Sequence, residues 1–407
     1  MSNCDRTITG VEFPSVAGVV PPARGAAITI PVDTGWCIPF DQLSDGDVVS
    51  WDYPFPGSMQ WIDVGGPYDG LYFASHDDTP LGKSFAVGRS GDRVNLSTEL
   101  TGLAVEPGET LELPPVVIGS HHEDWRAAAA IYREWIDSLA EKPEVPESIL
   151  RTPCAVPSEI GSPESEIEAA AACPGAEPTL GLEAGIWTPD PSTRGDWAGY
   201  IGCLEDLRMR MEEIDPDYLM VHGGVLDLVG EYFDLLRSEV AWSFRGPHNG
   251  RPMPELFKYT LPWLQVCTGP LPQDRLDLLK LCHLAGSGWQ PQGQLDPTFD
   301  AVRGWRETYW REMALGNYLG PCQTNSPDYR ACAFEGEKRT LVALAWTPSD
   351  PGTEPPECVT VRVSTKVHPK TLRVLTPAGE TGAESVPKYG LLEITVPFAD
   401  IGLLVME

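Results

Sequence analysis

The apolar side chains Trp125, Ala128, Tyr132, Trp135 and Leu139 recur at three- and four-residue steps. That period puts them on one face of a helix, with Asp124 placed to cap its start. Upstream of about residue 120 the pattern is different. Short β-type runs at 27–30, 59–64, 71–73 and 116–118 are separated by Gly, Pro and Asp, the mark of an antiparallel β domain. After the helix, the Pro- and Glu-rich EKPEVPESILRTP reads as a linker. To about residue 320, helical patterns then alternate with short apolar runs. Trp197, Ile201, Leu204, Leu207, Met211 and Ile214 share a helix face, Asp215-Pro216-Asp217 ends it, and 218–221 follows as a buried strand. A helix feeding an apolar strand is the unit of a parallel α/β sheet or barrel. Further strands are expected at 180–187, 240–244 and 264–268. Helices are expected over PQDRLDLLKLCHLAG and through Phe299, Val302, Trp305, Tyr309 and Met313. Alternation returns in RTLVALAWTP, CVTVRVSTK, TLRVLTPAGE, GLLEITVPF and IGLLVME, which predicts a small antiparallel sandwich.

The His222-Gly223-Gly224 break after 218–221 stands at a strand's carboxyl end, where α/β proteins mount their chemistry, and the text beyond it reads as a helix. Asp227, Glu231 and Asp234 recur there at helical spacing. They are read first as a solvated or capping face.

Composition changes the picture mainly by exclusion. The 407-residue chain carries 59 acidic and 29 basic side chains, a formal net charge of -30. Such a surface repels phosphate backbones and anionic lipid, so neither nucleic acid nor membrane is expected as a partner. The opening MSNCDRTITG lacks a basic start and an apolar stretch, which makes a cytoplasmic location the expectation. The ten cysteines include no C-x-x-C pair and often have apolar neighbours, as buried free thiols do.

Several motif fragments fail on their chemistry. LGKS at 81–84 would need a glycine at 77 to cradle phosphate, and that position is Asp77. No G-x-S-x-G gives His222-Gly223-Gly224 an esterase meaning. His121-His122-Glu123-Asp124 is dense in possible metal ligands, but adjacent side chains diverge, so a solvated loop and helix cap are expected. Asn95-Leu96-Ser97 would matter as a glycosylation signal only in a secreted chain. No metal and no cofactor are expected.

VEFP near the start, PGSMQWIDVGGPYDGLYFASHDD, DWRAAAAIYREW, PDYLMVHGG and PELFKYTLP together resemble a bacterial glycoside-hydrolase-like family of unknown function. The resemblance is scattered over residues 11–260. It implies an N-terminal β-sandwich, a (β/α) barrel related to those of α-galactosidases and endo-α-N-acetylgalactosaminidases, and a C-terminal β domain. The expected fold is therefore multidomain α/β plus all-β. It comprises an N-terminal β-sandwich (1–122), a linker helix (123–150), a shortened or incomplete (β/α) barrel (151–320) and a C-terminal antiparallel β-sandwich (321–407). The barrel is expected to be short because a full one takes about 250 residues and the space here is nearer ~200.

The resemblance also directs attention to what differs. The family's strand-end aspartate follows a run like Gly-Ile-Tyr-Leu-Asp, where this chain reads Gly185-Ile186-Trp187-Thr188-Pro189-Asp190. The family's Glu-Gly is replaced by His222-Gly223. Glycoside cleavage uses one protonated and one ionised carboxyl group. Asp190 and Asp227 are the candidates, with His222 in the family's acid position. A histidine has the opposite charge logic and does not simply replace a carboxylate. Trp187 and Trp242, with Trp61, are candidate sugar-stacking side chains, and Gly223 would let a ligand approach the backbone. Two readings follow. One is a glycoside hydrolase-like protein acting on or binding an α-linked carbohydrate with an altered or lost acid pair. The other is a catalytically inactive carbohydrate-binding or scaffold protein. Two carboxylates in one cleft at the strand ends would favour the first. A mouth of His222 and glycines alone would favour the second.

Overall fold

The computed structural model describes residues 8–151 and 250–407 apart from short breaks. Between them it describes 176–178, 186–189, 204–205, 208–209, 213 and 221–238. The chain forms two units, Met1–Glu144 with Val156–Leu256, and Val145–Ala155 with Phe257–Glu407.

The first unit begins with β1 (Ile8–Val19), β2 (Ala27–Ile30), β3 (Trp36–Pro39), β4 (Val48–Tyr53), β5 (Trp61–Gly65), β6 (Asp69–Ser75), β7 (Lys83–Ser90), β8 (Arg93–Val105) and β9 (Val116–His122). They form two antiparallel sheets. One is ordered β1-β8-β7-β4; the other contains β3-β2-β5-β6-β9. In β4 every second residue is buried, Val49, Trp51 and Tyr53, the alternation of a strand with one face on a core.

Helix α1 (Trp125–Ile136) follows, and the Asp124 carboxylate caps it by accepting from the Arg126 N–H at 3.0 Å. It docks through Tyr132 and Trp135. Trp135 stacks on His76 at 4.6 Å between ring centroids, and Tyr132 meets Trp61 at 6.3 Å. Trp61 has no solvent exposure. It packs this helix and is not a sugar platform.

The rest of this unit contains β10 (Ala176–Pro178), β11 (Ile186–Pro189), β12 (Val221–Gly223), β13 (Leu235–Ser238) and β14 (Arg251–Pro252). β10 pairs antiparallel with β11, while β11, β12 and β13 run parallel. β14 extends the second antiparallel sheet beside β3. The stretch after His222-Gly223-Gly224 is not the helix expected. Residues 228–232 turn and lead directly into β13. Asp227 and Asp234 are buried, the opposite of a solvated helical face. Asp234 pairs with Arg208 at 2.9 Å. The expected strand at 240–244 lies outside the described residues.

The second unit contains α2 (Glu147–Arg151), α3 (Pro254–Thr260, straddling its boundary), β15 (Val266–Leu271), α4 (Leu276–Ala285), β16 (Gly288–Pro291) and α5 (Pro297–Thr308). β15 and β16 pair parallel around α4. The C-terminal strands are β17 (Asn317–Pro321), β18 (Gln323–Thr324), β19 (Tyr329–Glu335), β20 (Thr340–Trp346), β21 (Cys358–Val363), β22 (Leu372–Thr376), β23 (Gly379–Gly382), β24 (Glu384–Lys388), β25 (Leu391–Pro397) and β26 (Ile401–Met406). They form antiparallel sheets ordered β17-β19-β20-β26-β22-β23 and β18-β21-β25-β24. Val342, Leu344 and Leu404 of one sheet pack with Val359, Val361 and Ile394 of the other.

The central strands β20 and β26 are buried at every position because α4 lies on their other face. That explains the nearly unbroken apolar text TLVALAW and IGLLVM. Two polar side chains of α4 find partners there. Lys280 donates to the Trp346 carbonyl at 2.8 Å and pairs with Asp400 at 2.6 Å. The His283 ring bonds the Gly402 carbonyl at 2.7 Å.

Among the described residues, the architecture is thus N-terminal antiparallel β-sheets, a sparse parallel portion with few helices that amounts to an incomplete barrel, and C-terminal antiparallel β-sheets. Among the described residues, no helix is long and apolar enough to cross a membrane.

Helix α4 ends at Gly286, whose φ of 62° is left-handed. A Cβ there would lie 2.7 Å from the Phe334 ring. Backbone strain and overpacking add, so Gly286→Ala is expected to lower unfolding free energy by about 2–4 kcal/mol. Urea denaturation checks this, and a loss below about 0.5 kcal/mol would refute the packing described.

Candidate functional site at the strand ends

The parallel strands of the first unit bring the sequence candidates to one edge. In register, Trp187 of β11 is opposite His222 of β12, and His222 opposite Leu236 of β13. The carboxyl ends are Pro189, Gly223 and Ser238. Backbone pairing therefore sets Trp187 beside His222, with Gly223 one residue further on at the end of β12. Asp190, next in sequence after β11, and Trp242 lie outside the described residues.

The N-terminal sheets reach this edge through two loops. The turn after β2 and the loop before β5 are tied together. Ser58 donates from its N–H and its hydroxyl to the Pro31 carbonyl at 2.8 and 2.9 Å, and the Asp33 N–H donates to Pro56 at 2.8 Å. Ser58 in turn accepts the Asp227 N–H at 3.0 Å. Asp33 accepts from the Ser238 hydroxyl at 3.0 Å. Each loop thus contacts chain that follows or ends a parallel strand.

Asp227 has no solvent exposure. Its Oδ1 accepts from the Tyr53 hydroxyl at 2.9 Å and from the Leu228 N–H at 2.8 Å. Its Oδ2 accepts from the Tyr132 hydroxyl. The Tyr132 oxygen also accepts the Gln60 N–H at 3.1 Å. Beside this lies a second buried set, in which Lys83 donates to Gln60 at 2.6 Å and to Asp77 at 2.7 Å. The ammonium stands 5.2 Å from the Tyr53 ring centroid. Lys83, read in sequence as part of a failed phosphate motif, has as its counter-ion the very Asp77 that spoiled it.

Burial dominates the electrostatics. It pushes Asp227 up from 3.8 to about 6, against the pull of the two tyrosine hydroxyls. Burial raises Asp33 to about 6 as well, opposed by Ser238 and the Thr34 N–H. Tyr53 and Tyr132 are raised by burial and by the Asp227 charge, so they remain donors. Burial lowers Lys83, with Asp77 and Asp227 opposing it.

Chemically, Asp227 is a structural acceptor. Both oxygens are buried; they hold β4 and α1 to the loop after β12, and the Asp227 N–H ties in the loop before β5. His121, expected in a solvated loop, is instead buried in β9 and bonded to Asp63 at 2.8 Å. There, Asp63 raises its pKa despite burial. Among the described residues, no group of three potential ligands could hold a metal ion. Asp33, Ser58, Gln60, Tyr53 and Tyr132 were missed by sequence reasoning. The available signal was the Ser58-Met59-Gln60 run, noted only as a point of resemblance.

No family model matches the chain, and no curated protein sequence matches it. Solved structures do share its fold. A doubly substituted variant of the GH36 α-galactosidase AgaA from Geobacillus stearothermophilus, in complex with raffinose, is 12% identical with a TM-score of 0.50. That likeness covers 98% of this chain and 76% of that one. The α-N-acetylgalactosaminidase NagBb from Bifidobacterium bifidum is 11% identical with a TM-score of 0.51, covering 86% of this chain and 84% of that one. At such identity the likeness is one of fold.

Both buried aspartates hold their protons more tightly folded than unfolded. Their contribution to stability is complete below the unfolded value of 3.8 and is lost as pH rises through about 6. From about pH 5 to about pH 7, the loss attributable to Asp227 is on the order of 1 kcal/mol. Asp227→Asn, neutral throughout, should flatten the urea-derived stability profile by that amount. An unchanged slope would show that Asp227 stays ionised in the folded chain.

Proposed function

We propose that this chain binds an α-linked carbohydrate of the galactoside class at the carboxyl edge of β11, β12 and β13, with its acid pair altered or lost. One observation carries the reading. Asp227, the one described member of the expected carboxylate pair, has both oxygens enclosed by Tyr53, Tyr132 and the Leu228 N–H. A glycosidase needs its second carboxyl group at the bond, either as nucleophile or behind a water. His222 occupies the neighbouring strand end, and its imidazole does not supply that charge.

The fold supports the substrate class. The solved structures that share it are named as an α-galactosidase holding raffinose and an α-N-acetylgalactosaminidase. In this reading Trp187 offers an aromatic face for a sugar ring, and Gly223 admits the ligand to the backbone. A protein built this way keeps the recognition half of a glycosidase without the proton transfers.

The test pairs calorimetric titration of raffinose with hydrolysis of a panel of aryl α- and β-glycosides, using wild type, Trp187→Ala and Asp190→Ala. The expected outcome is raffinose binding that Trp187→Ala weakens about tenfold or more, a loss of roughly 1.4 kcal/mol, with no turnover of any aryl glycoside. Turnover that disappears in Asp190→Ala would replace this reading with an active hydrolase using a rebuilt acid pair. Absence of both binding and turnover would overturn the carbohydrate assignment at this edge.

A further inference from the structure

The approach to the C-terminal sandwich is irregular in a way the candidate site does not use. After α5, Arg311–Leu315 winds as a π turn, in which the Gly316 N–H bonds the Arg311 carbonyl at 2.9 Å. Such turns are rare and recur at functional sites. A Cβ on Gly316 would collide with the Glu312 carbonyl oxygen, so the turn needs glycine at its exit.

Beside the turn lies a cavity of about 800 Å³, within the size range of small-molecule sites. Its walls include Trp310, Arg311 and Leu315 from the turn, Arg151 from α2, and Lys338 and Arg339 from the β19–β20 hairpin. Four cations line it against the three carboxylates Glu312, Glu335 and Glu337, a basic excess unexpected in a chain of net charge -30. Two have partners: Arg339 pairs with Glu312 at 3.3 Å and Arg151 with Glu147 at 2.7 Å. Arg311 and Lys338 are exposed and pair with no carboxylate among the described residues. The Arg311 guanidinium lies 5.1 Å from the Trp310 ring centroid and that of Arg151 lies 5.8 Å from it. The ring therefore holds both groups in place by cation–π attraction. Leu315 is 62% exposed and gives the wall an apolar face. Asn317 and Glu337 on the same wall add hydrogen-bonding groups.

Mixed donors and acceptors around one apolar side chain suit a polyhydroxylated ligand, and the two open cations suit an anionic substituent on it. We propose that this cavity is a subsite for an acidic saccharide, whose carboxylate or sulfate faces Arg311 and Lys338 while its hydroxyls meet Asn317 and Glu337. The proposal rests on the carbohydrate reading only for the class of ligand. The site is made of different residues.

Calorimetric titration of the full chain with an α-linked digalacturonate, the matching neutral digalactoside and inorganic sulfate tests it, in wild type and in R311Q/K338Q. The acidic disaccharide should bind at least about tenfold more tightly than the neutral one, and the double variant should lose about tenfold or more of that affinity. Both side chains are exposed, so melting temperature should move by no more than about 2 °C. Sulfate as tight as the disaccharide would overturn the saccharide assignment, leaving a plain anion patch. So would equal binding by wild type and variant, or none by wild type. Neutral digalactoside binding that survives R311Q/K338Q reports the strand-edge site. Failure of that reading and failure of this one therefore give different patterns.

Discussion

Asp227, through its carboxyl group and its backbone N–H, ties together separate parts of the first unit. Tyr53 comes from one antiparallel sheet, Tyr132 from α1, and Ser58 from the loop entering the other sheet; all three converge on the residue that follows β12. A fully buried carboxylate is costly unless its lone pairs are filled, and here hydroxyl and amide donors fill them. The neighbouring Asp77–Lys83–Gln60 set is neutral by itself. An ionised Asp227 therefore leaves one uncompensated buried charge, and protonation relieves it. The stability of this cluster and its geometry are therefore the same fact seen from two sides.

That arrangement bears on how such a fold can change its function. Once a strand-end carboxyl group becomes the acceptor for two buried tyrosines, restoring it to solvent would orphan both hydroxyls. The structural role thus resists reversal. At that edge Trp187 stays in register with His222, and His222 with Leu236. The second unit is organised by different means. Helix α4 covers strands that are already half of a sandwich core, and Lys280 and His283 satisfy carbonyl groups on that buried face.

Much of this was legible in the sequence. The helix at Trp125–Ile136 and its Asp124 cap follow from apolar spacing and a short polar side chain, both local properties. The C-terminal strands follow from β-type apolar runs between turn residues, alternating in β21 and unbroken in β20 and β26. The error after Gly224 has a physical source. Asp227, Glu231 and Asp234 are spaced like a helix face, but periodicity of polar residues does not say whether they meet water or buried donors. Tyr53 is 174 residues from Asp227 and Tyr132 is 95. No window along the chain could have joined them.

Sequence by itself determined most of the described elements, their order and the excess of acidic side chains, because these depend on neighbours in the chain and on residue identity. Tertiary structure alone decided the fate of the charged groups. Asp227 became a clamp, His121 a buried partner of Asp63 and Lys83 the counter-ion of Asp77, while Arg311 and Lys338 were left exposed around one cavity. The physical reason is that a carboxylate or an ammonium has no fixed role of its own. Its protonation and its partners are set by how far folding removes it from water, and by which distant side chains it meets there.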